Sequence, residues 1–179
     1  MTTVTVHFAT FPVQSHGGRP TYVNVTDEVA AAVAASGITT GTCTVISPHT
    51  TCSVFFEEFV HDRLPDGTEF LQADLDDVLE RMIPNQTALP PEGEYRYPGP
   101  EHFADVATWP DADTWLPGGD RTLLLNADAH LKATLLGSSQ VFAVTEGKLA
   151  FGLTGYVYFV DFDRARPRQR RCQVVVMGE

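Results

Sequence analysis

The densest set of side chains able to do chemistry lies in Asn126-Ala127-Asp128-Ala129-His130-Leu131-Lys132, which leads through leucine and alanine to Gly137, Ser138 and Ser139. An imidazole can move a proton near neutral pH, an ammonium can hold an anion, and an amide or carboxylate can orient either. Asn126 or Asp128 suits a helix N-cap, and Gly137 suits the left-handed residue that ends a helix. The spacing predicts one helix of about three turns. On it Asn126 shares a face with His130, and Asp128 shares one with Lys132, because each pair is four apart. The helix start adds N–H groups and a dipole that favour anions. A structural role accounts for the same residues equally well, with Asn126 as a cap, Asp128 and Lys132 as a surface pair, and His130 as an ordinary polar residue.

His49 is the second candidate. It sits in Pro48-His49-Thr50-Thr51, between strand-like runs at 41–47 and 52–59. Pro48 cannot donate to a sheet ladder, so a bend is predicted there, with His49 upon it. Cys43, Cys52 and Cys172 show neither zinc-ribbon nor CxxC spacing and read as reduced thiols buried in strands. Arg164, Arg166, Arg168, Arg170 and Arg171 hold five of the twelve basic residues. That segment reads either as a solvated hairpin tip or as a contact for an anion or a second subunit.

The elements that must position these groups follow from periodicity. Strands are predicted at 3–11 and 20–26, joined by a loop over 12–19. A helix capped by Thr26 runs to Ser36. A second, capped by Thr68, carries Leu71, Leu75, Val78, Leu79 and Met82 on one face until Pro84 ends it. Residues 84–120 are rich in proline yet carry Tyr95, Tyr97, His102, Phe103, Trp109 and Trp115. So many aromatics predict an ordered lid or subunit-contact loop. An apolar strand at 121–125 is predicted to run into the central helix. Further strands are expected at 140–145, 148–162 and 173–177, with a hairpin turn at Glu146-Gly147. Strands outnumber helices and are interrupted irregularly. The fold class is therefore α+β, a single domain with a mixed, largely antiparallel sheet and about three helices.

A chain of 179 residues with 43% apolar and 20% charged residues fits one globular domain. Its net charge of −11 opposes attachment to nucleic acid or anionic lipid. No apolar run is long enough to span a bilayer, and the first residues alternate like a strand instead of resembling a signal peptide. A cytoplasmic location is expected.

Taken together, Pro48-His49-Thr50-Thr51-Cys52-Ser53 and the run from His130 through Lys132 to Gly137-Ser138-Ser139 resemble the YjbQ family, also described as secondary thiamine-phosphate synthases. The likeness extends through residues 22–28, the helix over 68–84, Glu146-Gly147-Lys148 and Gly178-Glu179. It implies an α+β domain, a homotrimer, and a thiamine-phosphate synthase-like transferase acting on phosphorylated small molecules. His49, His130 and Glu58 match polar family positions and are the expected catalytic residues. Asn126, Lys132 and Ser138 are expected to hold the substrate. Three departures stand out. The family's Tyr-x-His reads Tyr95-Arg96-Tyr97; its Gly-x-Trp-Gln-Gly is replaced by Gly152-Leu153-Thr154-Gly155; and residues 98–120 look inserted. His102, within the insertion, is expected to restore the missing imidazole. Three histidines converging from bend, loop and helix would then suit a divalent metal, zinc or magnesium, at His49, His102 and His130. A metal-dependent hydrolase and a noncatalytic trimeric protein that binds an anion are the competing classes.

Overall fold

The computed structural model describes residues 3–179. Eight strands and five helices alternate irregularly: β1 (Thr5–Ser15), β2 (Thr21–Asn24), α1 (Thr26–Ser36), β3 (Thr40–Ile46), β4 (Cys52–Glu58), α2 (Phe70–Met82), α3 (Pro100–Val106), α4 (Ala112–Trp115), α5 (Ala127–Leu136), β5 (Ser139–Thr145), β6 (Lys148–Leu149), β7 (Gly155–Asp161) and β8 (Arg168–Gly178). They form an α+β domain, with two short helices beyond the three expected, both within 98–120.

Every named strand pair is antiparallel. One sheet has the order β1-β8-β3-β5-β6 and the other β2-β7-β4. The chain changes sheets at Pro48, where β3 ends in the first and β4 begins in the second. That change of sheet is the bend expected at His49.

Between the sheets, Cys43, Val45, Val54, Val157, Phe159, Cys172, Val174 and Val176 close the main core with Val29 and Val33 of α1. Each such side chain contributes roughly 1.5–3 kcal/mol by leaving water. The opposite face of the smaller sheet is covered by Leu79 of α2 and by Ala129 and Ala133 of α5, packed on Val160 and Phe162. Because β7 is buried on both faces, Tyr156 to Phe162 reads as a nearly continuous apolar run.

Several boundaries differ from expectation. β1 continues through Pro12 to Ser15, which a sheet edge permits because the missing N–H need not join a ladder. Residues 121–124 form a 3₁₀ turn instead of a strand. Asp120 accepts the Thr122 N–H at 2.9 Å and the Thr122 hydroxyl at 2.7 Å, bending the backbone before a ladder can form. Thr26 does not cap α1; its hydroxyl accepts the Val157 N–H at 2.9 Å. Gly37 and Gly137 follow α1 and α5 with φ of 68° and 86°, where a side chain would be strained. The Glu146-Gly147 hairpin forms as expected between β5 and β6. All three cysteines are free and buried, and burial raises the Cys52 thiol far above neutrality, leaving it no thiolate for nucleophilic attack.

Candidate functional site

The arginine segment turns inward. Strand alternation puts Arg168 and Arg170 in phase with Cys172, Val174 and Val176, the core-facing positions of β8. Arg170 Nε donates to Asp161 Oδ2 at 2.7 Å, and its Nη2 donates to Asp161 Oδ1 at 3.1 Å and to Thr51 Oγ1 at 3.0 Å. Arg168 Nη2 lies 3.1 Å from Asp163 Oδ2. Burial pushes the Asp161 carboxyl up, but its bonds to Arg170 outweigh that and hold it below the usual range. The solvated-tip reading is thereby corrected for these residues. A guanidinium taken from water needs a carboxylate, and two buried aspartates supply it.

Above this pair of ion pairs lies a cleft of about 330 Å³. His49 reaches it from the bend, His130 and Asn126 from the start of α5, and His102 from α3. His49 Nε2 accepts the Arg171 backbone N–H at 2.9 Å, so in the neutral ring the proton sits on Nδ1. Burial, then the charge of Arg170, lowers the His49 pKa. Burial likewise lowers that of His130, against an opposing backbone hydrogen bond at Thr50. Both rings are therefore neutral at neutral pH. His130 lines the cleft and offers it a ring nitrogen.

Tyr97 stands where the family pattern would place histidine. Its hydroxyl bonds His102 Nε2 at 3.0 Å, and its ring meets the His130 ring edge-on with centroids 5.5 Å apart. Tyr97 thus links His102 to His130 within the cleft. Asn126 is 6% exposed, and its Oδ1 has no hydrogen-bond donor within the described residues.

Residues 98–124 roof this cleft. Phe103, Val106, Leu116 and Leu124 make a small core of their own. Trp109 and Trp115 meet edge-on at 5.7 Å, and the Arg168 guanidinium lies 5.7 Å from the Trp115 ring centre. Residues 98–124 are pinned to the same arginine that pairs with Asp163.

Three expected site residues lie elsewhere. Lys132 is 3% exposed and donates to Asn85 Oδ1 at 2.8 Å and to Asp128 Oδ2 at 3.4 Å. Asp128 also accepts the Gln86 N–H and faces Arg164, so this lysine neutralises a buried carboxylate. Glu58 is exposed at the far end of β4 from the bend, roughly 20 Å along the strand. Ser138 is exposed beyond the C-terminus of α5, roughly 15 Å from Asn126. The first N–H of α5, at Ala127, is occupied by Gln86 Oε1 at 2.9 Å.

Although the three histidines share the cleft, no three His, Cys, Asp or Glu side chains among the described residues are grouped to hold an ion. His49 and His102 each have Nε2 engaged, and the nearby aspartates are bound to guanidinium groups. The donor set does not fit a divalent metal as it stands. Sequence reasoning does not place Thr51, Asp161 or Asp163 at the site, and reaches Arg168 and Arg170 only through the anion-contact alternative for the arginine segment. For the arginines the signal was present, since they keep the two-residue phase of the buried valines that follow.

Residues 10–179 match the family described as UPF0047 protein YjbQ-like. A UPF0047 protein of Archaeoglobus fulgidus is 32% identical over 147 residues, covering 82% of this chain and 85% of that protein. YugU of Bacillus subtilis, also a UPF0047 protein, is 28% identical over 161 residues, covering 89% of this chain and 92% of YugU. Among solved structures, a YbjQ-like protein of unknown function from Sulfolobus solfataricus superposes with a TM-score of 0.68 at 26% identity, covering 99% of this chain and 100% of that one.

Proposed function

Because the chain belongs to the YjbQ-like UPF0047 family, we propose that its imidazole cleft binds a phosphorylated small molecule and transfers a group from it, as a thiamine-phosphate synthase does. One observation carries this reading: His49, His102 and His130 line one cleft together with Arg168, Arg170 and two tryptophans. In an acidic chain, guanidinium groups at a cleft lined by neutral imidazoles favour an anionic ligand with a flat apolar part.

The transfer requires little proton movement. The bond from the pyrimidine methylene to diphosphate oxygen breaks, with its electrons leaving on that oxygen. The thiazole nitrogen forms the new bond and becomes cationic. Arg168 spends one terminal nitrogen on Asp163, so its fork retains donors for the leaving diphosphate. The Nδ1–H of His49 can donate to the same group. Asn126 Oδ1 and a ring nitrogen of His130 can accept from an amino group on the ring. Trp109 and Trp115 exclude water from the cation that forms.

Hydrolysis is the second reading, favoured by the His130 ring nitrogen, which could take a proton from water. The test supplies a pyrimidine diphosphate and a thiazole phosphate and measures pyrophosphate release alongside the coupled product. Coupled turnover that falls at least about 10²-fold in His49→Ala and His130→Ala supports transfer. Phosphate release without coupling supports hydrolysis. Ligand binding that depends on His130 without turnover identifies a binding protein. Activity lost on chelation and restored by zinc or magnesium would return the metal to the mechanism.

A further inference from the structure

A second cleft, of about 690 Å³, adjoins the imidazole cleft and is the larger of the two. Thr50, Tyr97, His102 and His130 line both, so they form a common wall. The wall is held together by the 3.0 Å bond between the Tyr97 hydroxyl and His102 Nε2 and by the edge-on contact of Tyr97 with His130. On its far side the lining is completed by Glu94, Tyr95 and Arg96 from the segment before α3, and by Ala127 and Leu131 of α5. The proposed transfer uses none of these five.

The lining identifies the occupant. The first cleft carries Arg168 and Arg170 with Asp163, whereas the formal charges on the second are those of Glu94 and Arg96, which are exposed and opposite in sign. Burial keeps the His130 ring neutral on the wall between them. An ion entering the second cleft would lose water and meet no unopposed charge, which disfavours it. The Tyr95 hydroxyl is spent on the Pro84 carbonyl and that of Tyr97 on His102, so both phenols leave ring surface to the cleft. Together with the imidazoles of His102 and His130, they favour a flat π system through stacked and edge-on contacts. Leu131 is 48% exposed beside them, apolar area that a bound ring would take out of water. Thr50 adds a hydroxyl for one polar substituent.

We propose that the second cleft binds an uncharged aromatic compound, its ring against Tyr95, Leu131 and the common wall. Contact with that wall makes its arrival felt at His102 and His130 but not at His49, which lines the first cleft alone. Such binding does not require transfer at the imidazole cleft, although a reaction that joins two rings needs a second seat of this kind.

The full chain, labelled with ¹³C in its leucine and alanine methyls and with ¹⁵N in its imidazoles, is titrated with benzyl alcohol and followed by NMR. Saturable shifts are expected at Leu131, Ala127, His102 and His130, with His49 and the exposed Leu153 unmoved. Benzoate and benzylammonium add a charge of either sign, and cyclohexylmethanol removes the aromatic ring; each should bind at least about tenfold more weakly. Leu131→Glu should weaken benzyl alcohol binding by about tenfold or more, read at Ala127 and His130. Because Leu131 is half exposed, the exchange should leave the signals of β7 and β8 in place; should the variant fail to fold, the four compounds on the wild-type chain decide. Binding of either ion or of cyclohexylmethanol as tightly as benzyl alcohol would overturn the proposal. So would the absence of a saturable shift at Leu131, or a shift at His49, which would put the ring in the first cleft. Leu131 signals that move on dilution of the protein alone would give the cleft to a second copy of the chain, and would overturn it as well. Every outcome is read without turnover and so is separate from the fate of the transfer reading.

Discussion

At the scale of single residues, two buried cations test which groups belong to the scaffold. Arg170→Ala leaves Asp161 buried and uncompensated, a change that costs about 3–5 kcal/mol. Urea unfolding should show that loss. Lys132→Ala should cost less, because Asp128 keeps the Gln86 N–H and Arg164. It should leave ligand affinity at the imidazole cleft unchanged by titration calorimetry. A collapse of affinity in a folded Lys132→Ala protein would restore lysine to the site.

The imidazoles carry their own signature. His49 and His130 have folded pKa values below their unfolded value near 6.5, so the unfolded chain binds the extra protons. Their contribution to stability is whole above that value and is lost as pH falls through the folded pKa values. The urea midpoint should therefore drop from about pH 7 to about pH 5, and His49→Gln combined with His130→Gln should shrink the drop. An unchanged drop would mean that the rings are solvated.

At the scale of elements, residues 98–124 fold as a unit on four buried side chains and one arginine–tryptophan contact. Phe103→Ala should cost about 3–5 kcal/mol locally. Hydrogen exchange should show residues 98–124 losing protection while β7 and β8 retain theirs. Exchange that rises equally across the sheets would show that this segment has no separate core.

The same elements show what the sequence made legible. α2 and α5 were readable because apolar spacing, Pro84 and Gly137 agree on type and extent. The arginines are legible only through alternation: carried back from Val176, Val174 and Cys172, it points Arg170 and Arg168 inward. Residues 121–125 mislead because a short leucine run fits strand and helix alike, and a side-chain bond from Asp120 decides. Lys132 and Asp128 were correctly paired at four residues apart, yet their burial depends on Asn85, Gln86 and Arg164, which only the fold brings near. The meeting of His49, His102 and His130 likewise follows from a bend, a short helix and a longer helix that no local pattern relates.

Across the whole molecule, the outer face of the larger sheet is uncovered. Val6 and Phe8 of β1, Val141 of β5 and Met177 of β8 are 62%, 57%, 63% and 49% exposed. An apolar sheet face of this kind is where the homotrimer that the family resemblance implies would pack. Phe8→Glu should convert a trimer to monomer in sedimentation velocity, and a wild-type monomer at micromolar concentration would contradict that assembly.

The most direct test of the phosphorylated-ligand cleft uses the chain's six histidines as reporters. His49, His102 and His130 line it, whereas His7, His16 and His61 do not. Protein labelled with ¹⁵N in its imidazoles and freed of metal by chelation is titrated with pyrophosphate while the ring nitrogens are followed by NMR. The expected result is saturable shifts in the first three rings with the other three unmoved. Shifts in none of them, or equal drift in all six, would contradict the assignment of an anion to that cleft.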